Sequence, residues 1–121
     1  MFKGTKNRTA FEISDHIDRI GAQINAFTSK ELTCYYTKST REHAGKSLEI
    51  LSDIFFDSVF DKAELEKEKG VIVEEINMSE DSPEEVCLDL LAESYYGKSG
   101  LGQTILGPSK NVKKFTREDV L

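Results

Sequence analysis

Apolar residues recur at helical spacing in four segments of the chain. In the first segment, Thr9 and Glu12 have the spacing of a capping box, in which each side chain accepts a hydrogen bond from the other residue's backbone N–H. The pattern therefore predicts a helix that begins after Thr9 and is ended by Gly21. Its predicted apolar face consists of Phe11, Ile13, Ile17 and Ile20.

The second helical segment covers residues 41–56. Its apolar residues lie close to the i, i+3, i+4, i+7 spacing that is typical of an amphipathic helix. The residues predicted on the apolar face are Ala44, Leu48, Leu51, Ile54 and Phe55. A third helix is predicted from about Asp61 to Asn77 or beyond.

The fourth helix has a distinct start signal. Ser82 suits the N-cap, Pro83 the first helical position and Glu85 the third, so a helix is predicted through residues 86–96. The four glycines and one proline in residues 97–108 predict an ordered loop after it.

One region has strand character instead. Residues 23–27 and 32–37 are rich in aromatic and β-branched side chains, and the polar residues 28–31 separate them. This arrangement predicts an antiparallel pair of strands.

The composition limits the classes of partner. The 121 residues, of which 38% are hydrophobic, are enough for one domain or part of one. The formal net charge of -6, from 22 acidic and 16 basic residues, provides no basic surface, so nucleic acids and anionic membranes are not expected as partners. The chain has neither a membrane-span pattern nor a signal peptide, and Cys34 and Cys87 form no CxxC pair, which favours a cytoplasmic location.

Glutamates on the third predicted helix are the candidate chemical groups. Glu68 and Glu75 lie two turns apart on the same side of the helix, whereas Glu74 lies about 100° away. A carboxylate between apolar residues needs a cation or hydrogen-bond donors to offset its desolvation, and a metal ion compensates most strongly. The apolar residues on either side are Leu65, Ile72 and Ile76, and Ala63, Val71 and Met78.

The residues alone leave two interpretations of these glutamates open. Because Lys67 and Lys69 lie nearby, the glutamates also fit an ordinary solvated or salt-bridged helix face. Zinc favours imidazole ligands, but the only histidines, His16 and His43, stand in neither an HxxEH nor an HExxH spacing. The sequence therefore does not encode a complete zinc site.

Several ordered motifs together resemble one known family. They are Phe2-Lys-Gly-Thr5, Gly21-Ala-Gln-Ile-Asn-Ala-Phe-Thr-Ser-Lys-Glu31, Tyr35-Tyr36, Glu68-Lys-Gly-Val-Ile-Val-Glu-Glu75 and Leu101-Gly-Gln-Thr-Ile-Leu-Gly107. Through essentially its whole length, the chain resembles the N-terminal catalytic domain of the insulinase or pitrilysin family of zinc peptidases, which includes mitochondrial and bacterial processing peptidases. The resemblance implies an α+β fold with helices packed on one face of an antiparallel sheet, and residues 1–121 would form a single partial peptidase domain.

The resemblance also implies roles for particular residues. In this family an HxxEH helix supplies two histidine ligands and a general-base glutamate, and a later helix supplies a third zinc ligand. That ligand matches Glu75, and the outer-sphere glutamate two turns earlier matches Glu68. Asn25, Ala26 and Phe27 match the edge strand that binds extended peptide substrate. The HxxEH segment, which in relatives ends just before the first motif, is absent from these residues.

The expected function is that of a fragment of a zinc-dependent metalloendopeptidase acting on peptides or presequences. Without the histidines and the general base, these 121 residues alone are predicted to be inactive and to bind no zinc tightly. Helix initiation at Thr116, too near the end for a stable helix, also predicts a fragment. Apolar faces exposed by the missing elements favour self-association or pairing with another peptidase half. The alternatives are a non-catalytic partner half and a small α+β interaction domain that binds extended peptide at a sheet edge.

Overall fold

The protein consists of six α-helices and a two-stranded antiparallel sheet, in a computed structural model that describes residues 1–121. In chain order the elements are α1 (Ala10–Arg19), β1 (Gln23–Thr28), β2 (Thr33–Lys38), α2 (Ala44–Phe56), α3 (Lys62–Glu80), α4 (Pro83–Tyr96), α5 (Ser109–Val112) and α6 (Arg117–Val120). Short 3₁₀ helices lie at Arg41–His43 and Gly100–Gly102. The α+β class predicted from the sequence is confirmed.

The chain divides into two compact units. The first unit comprises Met1–Phe27 and Thr33–Asp61, and the second comprises Thr28–Leu32 and Lys62–Leu121. The single partial domain expected from the resemblance stays a prediction. No helix in the structure combines the length and apolar character that crossing a bilayer requires. Cys34 and Cys87 are both free thiols.

The first unit is built around one apolar cluster. Helices α1 and α2 contribute most of its buried side chains, and α2 packs against β2. The buried members are Ile13, Ile17, Ala22, Ile50 and Ile54, and the partly buried residues packed against them are Met1, Phe2, Ile20 and Ile24.

Helix α1 has the predicted ends. The backbone N–H of Thr9 donates to the Glu12 carboxylate at 2.8 Å, and the N–H of Glu12 donates to the Thr9 hydroxyl at 3.2 Å, so the capping box is complete. Gly21 has a φ of +59°, which glycine adopts without steric cost and which turns the chain out of the helix. These signals are local, and the structure confirms them.

The predicted apolar face of α2 is wrong in part. Leu48 and Phe55 are 59% and 51% exposed, whereas the buried side contains Ser47, Ile50, Asp53 and Ile54. The helix is rotated relative to the prediction because an acidic residue, Asp53, faces inward. Periodicity arguments assign charged residues to the solvent side, so they could not anticipate this orientation.

The second unit packs α3 against α4 and α5. Its buried apolar side chains are Ile76 on α3 and Val112 on α5. Loop residues 97–108 pack closely: a Cβ atom at Gly102 would lie 2.1 Å from the carbonyl oxygen of Gly97, so only glycine fits there. The ordered loop predicted from the sequence is therefore present, and it contains the second 3₁₀ helix.

The helix starts predicted in the second unit are confirmed. The Ser82 hydroxyl accepts from the backbone N–H of Glu85, and Pro83 opens α4. Thr116 caps α6 in a capping box with Asp119, whose carboxylate accepts from the Thr116 N–H at 2.7 Å. Hydrogen bonds from the Thr116 backbone and side chain lower the pKa of Asp119.

Candidate functional site

Helix α3 carries the two glutamates predicted as site residues. Glu68 and Glu75 are separated by two helical turns, about 10 Å along the axis, and they project from the same side. Glu75 is exposed and Glu68 is half-buried. The helix thus presents one carboxylate to solvent, with a second carboxylate behind it toward the N-terminus of the helix.

The apolar surroundings expected for Glu75 are present on one side only: Leu65, Ile72 and Ile76 are partly or fully buried. Val71 is half exposed and Met78 is 73% exposed, whereas Ile76 is buried. Glu75 itself is exposed and incurs no large desolvation cost, so this prediction is wrong. A carboxylate that is exposed to water needs no compensating cation for its own stability.

Neighbouring lysines are engaged by other acids. Lys67 pairs with Glu64 at 2.5 Å, and Lys69 pairs with Glu66 at 2.6 Å, both at i, i+3 spacing. No ion pair in the structure involves the Glu75 carboxylate. The salt-bridged helix face considered from the sequence thus exists on α3, but it does not include Glu75.

The side chains of the structure do not assemble a complete metal site. Zinc sites in proteins use three or four ligands. No group of three or more His, Cys, Asp or Glu side chains comes together here in a way that could hold a metal ion. His16 on α1 and His43 in the first 3₁₀ helix both belong to the first unit. Of the two glutamates predicted as site residues, Glu75 is the one whose carboxylate is exposed.

Strand β1 carries the predicted peptide-binding residues. It pairs only with β2, so its other edge has backbone N–H and C=O groups available to an added strand. Asn25 is exposed and its side-chain oxygen accepts from the Ala26 N–H at 2.8 Å. The ring of Phe27 lies 6.3 Å from that of Tyr36 on β2, so Phe27 stabilises the hairpin.

A cavity in the first unit borders β1. Its volume is about 660 Å³, and its walls include residues from the N-terminal segment, α1 and both strands. Among them are Phe2, Ile13, Ile17, Ile24, Asn25 and Tyr36. The apolar walls, together with the side-chain amides of Gln23 and Asn25 and the polar groups of Ser14 and Asp18, are suited to a peptide side chain next to the strand.

The second unit has a cavity of a different character. About 540 Å³ lies between α3, α4 and loop residues 102–107. Apolar side chains line it together with four carboxylates, those of Glu80, Glu85, Asp89 and Glu93. Lys30 lies 3.6 Å from Asp89 and donates to the carbonyl oxygen of Gln103, so the strand-connecting turn is tied to this unit.

The first unit contains a buried ionic cluster that was not predicted from the sequence. The Asp53 carboxylate accepts hydrogen bonds from Thr5 Oγ1 at 2.8 Å, Asn7 Nδ2 at 2.7 Å and Arg8 Nη1 at 2.5 Å. Burial raises the pKa of Asp53, but the three hydrogen bonds and the charge of Arg8 outweigh burial, so the net pKa is lowered. Arg8 also pairs with Glu49.

A sequence signal for this cluster exists in retrospect. Glu49, Asp53 and Asp57 are spaced four residues apart and form one acidic stripe that runs along α2 to its C-cap, Asp57. The segment that meets the stripe contains Lys6 and Arg8, and Lys6 pairs with Asp57 at 3.1 Å. An acidic stripe and a short basic segment in the same chain are complementary, but the sequence does not show that they meet.

Known proteins resemble this chain along almost its whole length. The family described as Insulinase (Peptidase family M16) matches residues 1–109. The uncharacterized zinc protease YmxG of Bacillus subtilis is 50% identical over 120 residues, which are 99% of this chain and 29% of that protein. The mitochondrial-processing peptidase subunit beta of Homo sapiens is 41% identical over 120 residues, 99% of this chain and 24% of that protein.

Solved structures agree with the fold. A protease from Helicobacter pylori superposes with a TM-score of 0.89 at 27% identity, covering 98% of this chain and 29% of that one. A peptidase M16 inactive domain from Pseudomonas fluorescens superposes with a TM-score of 0.85, covering the same fractions, but its 14% identity shows the fold alone. The chain therefore spans only 24 to 29% of the length of these proteins.

Proposed function

Because the chain belongs to the insulinase family, peptidase family M16, we propose that it contributes the zinc ligand Glu75 and a peptide-binding strand to a zinc metalloendopeptidase. The observation that carries this proposal is the exposed, unpaired Glu75 carboxylate two turns after Glu68 on α3, in a chain whose relatives include a named zinc protease. The proposed reaction is hydrolysis of peptide bonds in extended peptides or presequences.

Each group of this chain has a distinct part in the proposal. Glu75 supplies one negatively charged oxygen ligand, and Glu68 supports the site electrostatically from the preceding turns. Zinc, when bound, polarises water and the peptide carbonyl. The free edge of β1 holds the substrate backbone in extended form through Asn25, Ala26 and Phe27, so that the peptide is presented in a single register.

We place the remaining ligands outside these residues. The chain contains no HxxEH sequence, and it spans only 24 to 29% of its relatives. Two histidines and a general base from elsewhere in a longer protein would complete the site. These 121 residues alone are accordingly proposed to be inactive and to bind zinc weakly, because one carboxylate cannot replace three or four ligands.

The proposal extends to assembly and location. One relative is named as a subunit, which supports pairing of this chain with another peptidase half. The free thiols Cys34 and Cys87 are consistent with a cytoplasmic, reducing compartment. A second candidate function is that of a non-catalytic half, and the similarity in fold to an inactive M16 domain supports it.

Zinc content in the full-length protein tests the ligand assignment. Glu75→Gln is expected to abolish stoichiometric zinc, measured by mass spectrometry of the metal, and hydrolysis of a quenched fluorescent peptide. Glu68→Gln is expected to weaken the affinity for zinc about 10- to 100-fold, as is typical when a group that supports a metal ligand is changed. Glu74→Gln, one residue away and equally exposed, is the matched control and should retain both zinc and activity.

Two outcomes would contradict the proposal. If Glu75→Gln retained zinc and activity, Glu75 would not be a ligand. If the full-length wild-type protein bound no zinc and hydrolysed no peptide, the non-catalytic half would be the better assignment. For residues 1–121 alone, calorimetric titration with Zn²⁺ should reveal no tight site. Submicromolar binding lost in Glu75→Gln would overturn the predicted weak binding.

A further inference from the structure

The N-terminal segment of the first unit is fastened across α2. We refer to residues 1–8 as the strap. The backbone N–H of Lys6 donates to the Asp57 carbonyl at 2.9 Å, and the N–H of Val59 donates to the Gly4 carbonyl at 3.2 Å. The strap therefore lies against the C-terminal end of α2, although it contains no regular helix or strand of its own.

Asp53 is the principal side-chain attachment of the strap. Its side chain is 5% exposed and accepts hydrogen bonds from Thr5, Asn7 and Arg8. The Thr5 hydroxyl in turn accepts from the backbone N–H groups of Asn7 and Arg8 at 3.1 and 2.9 Å. The turn at residues 5–8 is thus folded around one buried carboxylate, and loss of that acceptor leaves several donors unsatisfied.

The other end of the strap forms a wall of the cavity beside β1. Phe2 lines that cavity together with Ile24 and Asn25, and its ring lies 6.4 Å from that of Tyr35 on β2. Because Phe2 is only three residues from Thr5, displacement of the turn around Asp53 would move this wall. Phe2 also packs against the apolar core of the first unit, so the wall is held by the core at one end and by the turn around Asp53 at the other.

We propose that Asp53 is a positioning residue for peptide binding at β1. It does not contact the peptide; it acts through the strap, which sets the shape of the cavity next to Asn25. This inference rests on the proposed function only in assigning peptide to β1. The fastening of the strap by Asp53 is a property of the first unit itself.

The test uses the full-length protein with its zinc removed by chelation, so that the probe is bound but not cut. Fluorescein-labelled casein, an unfolded polypeptide, is the probe, and its binding is measured by fluorescence anisotropy. Hydrogen exchange of residues 1–8 is measured in the same samples. Asp53→Asn keeps the side-chain volume and removes the charge. Asp57→Asn, one turn later on the same acidic stripe, is the matched control.

Asp53→Asn is expected to accelerate exchange in the strap at least tenfold and to weaken casein binding at least tenfold, while exchange in α3 and α4 is unchanged. Asp57→Asn should change both quantities less than threefold, because its ion pair with Lys6 is more exposed. If Asp53→Asn fails to fold, Thr5→Val removes one of the three hydrogen bonds at nearly constant volume, and it should change both quantities in the same direction.

Three results would overturn the inference. If Asp53→Asn accelerated hydrogen exchange in the strap but left casein binding unchanged, the strap would not control the shape of the cavity. Unchanged hydrogen exchange of residues 1–8 in Asp53→Asn would show that Asp53 does not hold the strap. If the wild-type protein bound no casein, the peptide-binding role of β1 would fail together with the inference, and this result differs from a defect confined to Asp53→Asn.

Discussion

Thr5 and Asp53 are 48 residues apart in the chain, and they are joined by a hydrogen bond of 2.8 Å between two buried side chains. The bond belongs to a cluster in which Arg8 brings the compensating positive charge. Burial of an unpaired carboxylate would be costly, so the inward orientation of Asp53 requires this cluster. The orientation of α2 and the course of the strap are therefore determined together.

Removal of the Asp53 carboxylate should destabilise the protein strongly. In Asp53→Ala, the largely buried Arg8 guanidinium loses its buried partner and keeps only the more exposed Glu49, and breaking one side of a buried pair costs about 3 to 5 kcal/mol. Urea unfolding at pH 7, followed by circular dichroism, measures the change. Asp57→Ala breaks a more exposed pair and should cost less than about 1 kcal/mol. Equal losses in the two variants would contradict the assignment of Asp53 as the buried partner.

The same carboxylate should make stability depend on acid pH. The pKa of Asp53 is lowered in the folded protein, so its contribution is fully present above the ordinary aspartate pKa of about 3.9 and is lost as the pH falls through the lowered folded value. The difference in unfolding free energy between wild type and Asp53→Asn should be constant from pH 7 to about pH 5 and shrink below about pH 4. A difference that persists unchanged to pH 2 would exclude an ionised Asp53.

The observed face of α2 predicts contrasting effects for two aliphatic residues. Ile54 is completely buried, and Ile54→Ala should cost about 2 to 5 kcal/mol through lost contacts and a residual cavity. Leu48 is 59% exposed, and Leu48→Ala should cost less than about 1 kcal/mol. Chemical unfolding of both variants compares them directly. The face predicted from the sequence contains both residues, so a loss at Leu48→Ala as large as that at Ile54→Ala would support that face and contradict the observed one.

Glycine positions in the second unit provide another matched pair. Gly102→Ala would place a Cβ 2.1 Å from the Gly97 carbonyl oxygen, so the loop must shift, at a cost of about 1 to 3 kcal/mol. Gly70 lies inside α3, where an added Cβ would meet no atom within 4 Å, and Gly70→Ala should stabilise the helix by about 0.5 to 1 kcal/mol. Thermal unfolding should show melting temperatures shifted in opposite directions. A Gly102→Ala variant as stable as wild type would exclude the close loop packing.

Much of the local structure was predictable. The start of α1 at Thr9 and of α4 at Ser82 depends on residues within one helical turn, and the structure confirms both. The common orientation of Glu68 and Glu75 likewise follows from the helical period. The roles of these glutamates were assigned by resemblance, and they remain proposals.

The surroundings of the α3 glutamates could not be predicted in the same way. The sequence predicted Glu75 among apolar residues, but the exposure of Val71 and Met78 depends on which elements pack against α3. The alternative of a salt-bridged face was also undecided until the structure paired Lys67 and Lys69 with other glutamates. Both outcomes depend on side-chain positions that a helical wheel does not contain.

The sequence by itself determined where the four longer helices and the two strands lie, because capping, glycine turns and apolar periodicity act between residues close in the chain. Only the tertiary structure decided which side of α2 is buried. The groups that make an inward Asp53 favourable, on Thr5, Asn7 and Arg8, are more than forty residues away in sequence. A buried charge is stable only with such partners in place, and their meeting is a property of the folded chain.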